Sequence, residues 1–263
     1  MRIALLVGMI ALFTCGSAAA QKELDSSRMV TVLSFNILHG ATTKGDFNLD
    51  VIADVIKRTN PDFVALQEVD FLTNRAKKYD LVTELGWRTS MAPIFGRAMH
   101  YDGGEYGEGV LSKYSFISSR NVVLPSSEGK EPRAALEIVS VIPSGDTISF
   151  IGTHLDHTEN EMDRINQATA INRTFANSKY PAILAGDLNA TPESKTIQIF
   201  TSQWTASDDL EKPLLTYPSN KPDKKIDYIM YSPKKQWTVL KKAAVCDEIA
   251  SDHCSYLVTL ILN

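Results

Sequence analysis

The sequence predicts an α/β protein: a two-sheet β-sandwich flanked by helices. Three observations predict it. Strand-like apolar runs outnumber helical ones, helical patterns interrupt the strands at several points without following every strand, and no repeat, low-complexity tract or Pro/Ser linker divides the chain. A single doubly wound sheet demands stricter alternation. With 263 residues, 44% hydrophobic and 22% charged, the chain suffices for one domain of this kind.

The elements follow in order. Met29 to Phe35 alternates into a strand. Leu49, Ile52, Val55 and Ile56 recur at helical spacing, Pro61 stops that helix, and Phe63 to Leu66 reads as the next strand, giving a β-α-β opening. A second helix is expected over Ala76 to Leu85, with Gly86 as its stop. The stretch FGRAMHYDGGEYGEG reads as a long glycine-rich loop. Strands are then expected around Gly109 to Ser112, Phe116 to Leu124, Ala134 to Val141 and Ile148 to Thr153. Glu161 to Ala176 reads as a third helix with Ile165, Ala168, Thr169, Asn172 and Phe175 on one face. A strand at Ala182 to Ala185, a short helix near Ser194 to Phe200, and strands at Ile226 to Tyr231, Trp237 to Ala244 and Ser255 to Leu262 complete the chain.

The N-terminus differs in kind. Arg2, the apolar stretch Ile3 to Phe13 and the small residues Ala18, Ala19 and Ala20 have the form of a secretory signal over residues 1–20, cleaved before Gln21 and leaving a domain over 21–263. The rival is a lipoprotein signal using Cys15, for which the preceding Thr14 is a poor fit. No second apolar stretch is long enough to anchor the chain, so an exported (periplasmic or secreted) protein without a stable membrane anchor is expected, acting as a monomer. Loss of Arg2 takes the formal net charge from −4 to −5, which gives no long-range pull toward nucleic acid or anionic membrane. Cys246 and Cys254 remain, flanking a turn between strands, either bridged or as two buried thiols, and no Cys/His spacing suggests zinc.

The chemistry lies where strands end. VLSFN ends in Asn36, FVALQE in Glu68, FIGTHLD in His154 and Asp156, and ILAGDLN in Asp187 and Asn189. Asp227 sits in the apolar strand KKIDYIMY, and Asp252 and His253 precede the last strand. One such ending is a turn; several look like one polar basin at a sheet edge, and carboxylates gathered there need a cation or shared protons. Taken singly, each has an ordinary structural role: His154 as a core histidine, Glu68 paired with Arg75, Asp252 as a turn cap. Asp227 is harder to explain that way, because an acid between Ile226 and Tyr228 needs a partner, and His253 would serve.

The motifs SFN, LQEVD, THLD, GDLN, IDY and SDH, in this order from about Thr31 to Leu260, resemble the endonuclease/exonuclease/phosphatase superfamily, the pancreatic deoxyribonuclease-like metal hydrolases, in a branch of small exported relatives. The resemblance implies a four-layer fold of two sheets between helices. It implies magnesium, with manganese as an alternative, held by Glu68 with Asn36 and Asp252. Asp187 is implied to prepare the attacking water, Asn189 to hold a phosphate oxygen and the water, His154 to donate to another oxygen, and His253, set by Asp227, to act as acid/base or charged stabiliser. Arg75, Arg97, Arg133 and Asp156 are candidate substrate contacts, with ion pairing as the alternative for Arg75 and Arg133. KPDKKIDYIM stands where inositol polyphosphate 5-phosphatases carry Pro-Ala-Trp-Cys-Asp-Arg, which argues against that activity. Lys221, Lys224 and Lys225 form either a basic rim or a solvated loop. The leading expectation is a phosphodiesterase or phosphatase acting on a phosphate ester. A secreted nuclease for DNA or RNA and a non-catalytic phosphate- or lipid-binding relative are the alternatives.

Overall fold

The computed structural model describes residues 24–175 and 177–263; the expected signal segment and its cleavage point at Gln21 lie outside the described residues. The opening is the expected β-α-β unit. Strand β1 (Met29–Asn36) pairs in parallel with β2 (Phe63–Phe71), and α1 (Leu49–Thr59) connects them. Asn48 caps α1 by accepting from the Asp50 amide at 3.1 Å, and Asn60 ends it in a left-handed turn, φ 48°.

Two readings of the next segment are corrected. The second helix, α2, spans Leu81–Thr89 instead of Ala76 to Leu85. Asp80 starts it by accepting from the Thr83 amide at 3.1 Å, whereas Leu72, Lys77 and Lys78 adopt left-handed backbone that no helix accommodates. Gly86 lies inside α2; a Cβ there would stand 2.8 Å from the Met91 carbonyl oxygen, so this glycine permits close packing and Ser90 ends the helix. The supposed glycine-rich loop is a hairpin of β3 (Ala92–Tyr101) and β4 (Gly104–Ser112), turned by Asp102 and Gly103, both at positive φ. Its glycines serve close strand approach, since a Cβ on Gly107 would fall 2.1 Å from the Gly96 carbonyl oxygen.

The remaining elements fall within about two residues of expectation. They are β5 (Phe116–Val123), β6 (Ala134–Val141), β7 (Thr147–His154), α3 (Met162–Phe175), β8 (Ala182–Asp187), α4 (Lys195–Thr201), β10 (Asp227–Ser232), β11 (Trp237–Val245) and β12 (Ser255–Leu262), with a two-residue β9 (Thr205–Ala206) unforeseen. The buried face of α3 runs through Arg164, Gln167, Ala168, Ile171 and Phe175, while Thr169 is exposed and Ile165 is only half-buried, so the expected face is rotated.

Two six-stranded sheets result, in the orders β11-β12-β1-β2-β4-β3 and β5-β6-β7-β8-β10-β9. Alternate residues of the central strands serve different layers. Val32, Phe63 and Ala65 pack between the sheets against Phe150, Ile183 and Ile229, while Leu33, Val64 and Leu66 pack beneath α1 and α2. Leu184 and Met230 face α3 and α4 on the opposite side. The architecture is therefore helix, sheet, sheet, helix, and central strands buried on both faces read as unbroken apolar runs.

This topology gathers the polar strand ends at one edge. β1 and β2 run in parallel, as do β7 and β8, so Asn36 and Glu68 terminate one pair and His154 and Asp187 the other. β10 and β12 run antiparallel to β8 and β1, and therefore begin at that same edge with Asp227 and just after His253. Cys246 and Cys254 are joined by a disulfide that closes the β11–β12 connection around Asp252 and His253, which settles the open choice between bridge and thiols. Replacing both cysteines by serine should cost about 2 to 3 kcal/mol of stability, the loop-closure value for a link of this span. Urea denaturation of the variant checks this, and an unchanged midpoint would count against the bridge.

Candidate active site

The edge opens into a cavity of about 750 Å³, lined by Glu68, His154, Asp187, Asn189, Asp252 and His253 among others. Its centre is Asp187, which is 1% exposed. The two-residue spacing to Asn189 is a local turn: Asp187 Oδ1 accepts from the Asn189 amide at 2.9 Å, with Asn189 in left-handed backbone, φ 47°. Asp187 Oδ2 accepts from Asn36 Nδ2 at 3.3 Å and lies 3.5 Å from His154 Nε2 and 3.7 Å from His253 Nε2. Burial pushes the Asp187 carboxyl up to about 7; the His253 charge opposes that rise and the neighbouring Asp227 adds to it.

The two histidines beside it are kept in different states. Arg133, itself buried, places NH1 3.0 Å from His154 Nδ1. The Asn189 side-chain amide nitrogen, which like arginine only donates, lies 3.0 Å from His154 Nε2, so donors face both ring nitrogens and one of them accepts. Burial and the Arg133 charge hold His154 well below the usual histidine range, so it is neutral. His253 turns Nδ1 to both oxygens of Asp227, at 3.2 and 3.1 Å, and packs against the Tyr217 ring at 4.8 Å. Burial alone would lower it, but the carboxylates of Asp227 and Asp187 raise it to about 10, so it carries charge at neutral pH. Asp227, fully buried, thus has the partner that its apolar strand required.

Glu68 reaches the cavity through a break in strand pairing between Leu66 and Val69, where it adopts φ 58°. Its oxygens meet Asn36 Nδ2 at 3.0 Å and His39 Nδ1 at 3.4 Å. Burial opposes its charge, yet the His39 and Asn36 hydrogen bonds hold it down to about 2. A carboxylate held ionised, with Asp252 on the same cavity, fits a hard divalent cation. Asn36 presents its nitrogen to Glu68 and Asp187 while its oxygen accepts from the Leu38 amide at 3.1 Å, so in this arrangement it supports the carboxylates. Asp187, Asp227 and His253 also bring ligand atoms within 4.8 Å of one another. There, however, His253 Nδ1 is committed to Asp227, and its Nε2 faces Asp187 at 3.7 Å as an ion pair.

The weaker candidates divide. Arg75 and Arg133 line the cavity. Arg75 pairs with Asp70 through two bonds, at 2.7 and 2.9 Å, and not with Glu68. Arg97 stands outside the lining, paired with Glu105 at 2.6 Å on β3. Asp156 is buried in a turn, where it accepts from the Thr158 amide at 2.9 Å, and does not reach the cavity either. Lys224 is at the rim, but Lys225 is 1% exposed, with Nζ 3.2 Å from the Tyr256 ring centre and 3.6 Å from Asp208, which overturns the solvated-loop reading for that residue. Sequence reasoning missed His39, His157 and Tyr217. The first two were adjacent to recognised motifs, in SFNILHG and THLDH; Tyr217 carried no signal.

Two sheets between helices, with carboxylates, amides and histidines converging on one edge, define a phosphate-ester hydrolase of the deoxyribonuclease I-like class. A model of the Endonuclease/Exonuclease/phosphatase family matches residues 33–253, and the chain belongs to that family, whose members act on phosphate esters and generally depend on a divalent metal. Among solved structures it is similar to a family protein from Bacteroides thetaiotaomicron, with 20% identity over 89% of this chain and 98% of that one, TM-score 0.74. It is also similar to a mannosyl-6-phosphatase from Bacteroides thetaiotaomicron VPI-5482, with 21% identity over 89% and 100%, TM-score 0.68. The human Nocturnin catalytic domain with bound sulfate matches at 19% identity over 90% and 95%, TM-score 0.71.

The Asp227–His253 pair makes a sharp prediction. His253→Ala should lower turnover by about 10² to 10⁴-fold, the usual range for a general acid/base. Asp227→Asn should lower it less, and the double variant should cost little beyond His253→Ala alone, because groups acting as a unit are non-additive. Steady-state kinetics on one substrate checks this; additive losses would separate the two residues.

Proposed function

We propose that this chain is an exported, magnesium-dependent hydrolase that cleaves a phosphate ester by attack of water. The observation that carries the reading is Asp187, a buried carboxylate set between a neutral and a charged histidine and next to an ionised Glu68. In this reading Asp187 accepts the proton of the attacking water, which Asn189 helps to hold. His154, beside Asn189, donates to a phosphoryl oxygen. As the phosphorus–oxygen ester bond breaks, His253 Nε2–H donates to the departing oxygen, and Asp227 orients the ring and stabilises its charged form. Glu68 and Asp252, supported by Asn36, are the residues that would hold the magnesium ion, whose charge offsets that of the phosphoryl oxygens when bound.

The cavity walls favour a small ester over nucleic acid. Glu131, Glu159 and Glu161 line the cavity together with Arg75, Arg133, Arg164 and Lys224. A nucleic-acid groove needs runs of Lys and Arg that neutralise successive phosphates, and this mixed lining offers none. Export rests on the signal-like N-terminus and fits the Cys246–Cys254 bridge, since disulfides persist in oxidising compartments. Among the described residues no helix is long and apolar enough to cross a membrane.

Chelator should abolish hydrolysis of small phosphate esters, and magnesium or manganese should restore it. Glu68→Gln should raise the magnesium concentration needed for half-activity by about tenfold or more. A panel of DNA, RNA, sphingomyelin, phosphoinositides and small mono- and diesters identifies the substrate. Full activity in chelator would overturn the metal assignment, and preferential cleavage of DNA or RNA would overturn the small-ester reading. The exported protein should begin at Gln21, as read by N-terminal mass; a lipid on Cys15 would reverse that assignment.

A further inference from the structure

Beyond the catalytic cavity lies a second groove of about 600 Å³, formed by Phe71, Leu72, His100, Tyr101 and the glycines at the β3–β4 turn, with Asp102 and Glu105 also in its lining but engaged by the Arg75 amide and by Arg97. Tyr101 lines both spaces and forms the wall between them. Arg75, which lines the catalytic cavity, is fixed against that wall. Its guanidinium lies 4.6 Å from the Tyr101 ring centre and 5.6 Å from that of Tyr106. Asp70 engages its Nε and NH2, and the fully buried Asp70 is itself held by the Thr73 hydroxyl at 2.6 Å. NH1 makes no hydrogen bond among the described residues and is left for an anion.

The groove is a built feature. A Cβ on Gly104 would stand 2.4 Å from the Phe71 carbonyl oxygen, so only glycine lets the hairpin turn lie against the Phe71–Leu72 backbone. Asp102 ties the two sides together: its carbonyl accepts from the Asn74 amide and its carboxylate from the Arg75 amide, at 2.9 and 2.7 Å. Lys78 Nζ adds a bond to the Gly103 carbonyl at 3.0 Å. Within this frame Leu72 and Tyr101 remain 41% and 40% exposed, an apolar and an aromatic surface held next to a cation.

We propose that this groove is the subsite for the organic group esterified to the phosphate, and that this group is an aromatic ring, received by Tyr101, Phe71 and Leu72 while Arg75 NH1 meets the phosphate. The proposal rests on the reading of the larger cavity as a phosphate-ester site, and it narrows the substrate class to aryl or similarly flat apolar esters. A rigid aromatic wall next to a fixed guanidinium suits a flat ring, because stacking requires no ordering of a flexible chain.

Binding of methyl-, n-hexyl- and phenylphosphonate to the magnesium-loaded protein, measured by calorimetry, tests this without turnover. Phenylphosphonate should bind about tenfold more tightly than methylphosphonate, in line with stacking energies of about 1 to 3 kcal/mol, and hexylphosphonate should gain less. Tyr101→Ala and Leu72→Asp should each collapse the phenyl-to-methyl ratio. Aspartate tolerates the left-handed backbone of Leu72, φ 56°, so that variant should fold. Arg75→Ala should weaken all three ligands alike. Equal binding of methyl and phenyl ligands, or a ratio that survives both groove variants, would overturn the subsite alone. Hexyl binding as tight as phenyl would overturn the aromatic assignment, and failure of all three to bind would overturn the phosphate-site reading together with it.

Discussion

The desolvated carboxylate of Asp187 is the constraint to which the rest of the site answers. A lone carboxylate removed from water costs several kcal/mol, and it is tolerated only where donors surround it. Here donors come from both sheets: Asn36 from the end of β1, the Asn189 amide from its own turn, and two histidines from β7 and the β11–β12 connection. Each of those donors needs its own support. Arg133 helps to keep His154 neutral, Asp227 keeps His253 charged, and His39 and Asn36 keep Glu68 ionised beside them. Charge states near the centre are therefore mutually dependent, and a change at any one of these groups propagates to Asp187.

Backbone geometry makes that crowding attainable. A Cβ on Gly186 would lie 2.1 Å from the Thr153 carbonyl oxygen, so the glycine lets β8 come close to β7 and set Asp187 opposite His154. Left-handed backbone recurs around the cavity, at Leu38, His39, Glu68 and Asn189. Non-glycine residues adopt it at a cost, and such strain concentrates where side chains must be aimed. The helices contribute differently. They bury the outer faces of both sheets and hold the central strands in register, while almost none of their residues reach the reacting centre.

The rim is tied down as firmly as the floor. The disulfide shortens the connection that carries Asp252 and His253, and Ser251 Oγ anchors the same connection by donating to the Asn36 carbonyl at 2.7 Å. On the far side Asp102 joins the β3–β4 turn to the segment before α2.

The sequence by itself determined the layers and most of the site. Apolar runs such as ILAG and FVAL declare strands buried on both faces, and the polar residues ending them are legible because a charge at the end of such a run needs a reason. Asn36, Glu68, His154, Asp187, Asn189, Asp227, Asp252 and His253 were recognisable on that basis, and the structure draws them together at one edge. Tertiary structure decided what local pattern does not encode. The β3–β4 hairpin was hidden because its glycines answer to neighbouring strands, and α2 shifted because Asp80 caps it where left-handed residues block an earlier start. Arg97 and Asp156 share the chemistry of functional residues, but strand register and a local turn direct them elsewhere. The partners of Arg75, the burial of Lys225 and the contact of Tyr217 with His253 depend on segments far apart in the chain. Such contacts are set by how the sheets pack, and sequence periodicity carries information about a residue's own strand or helix but not about what stands across from it.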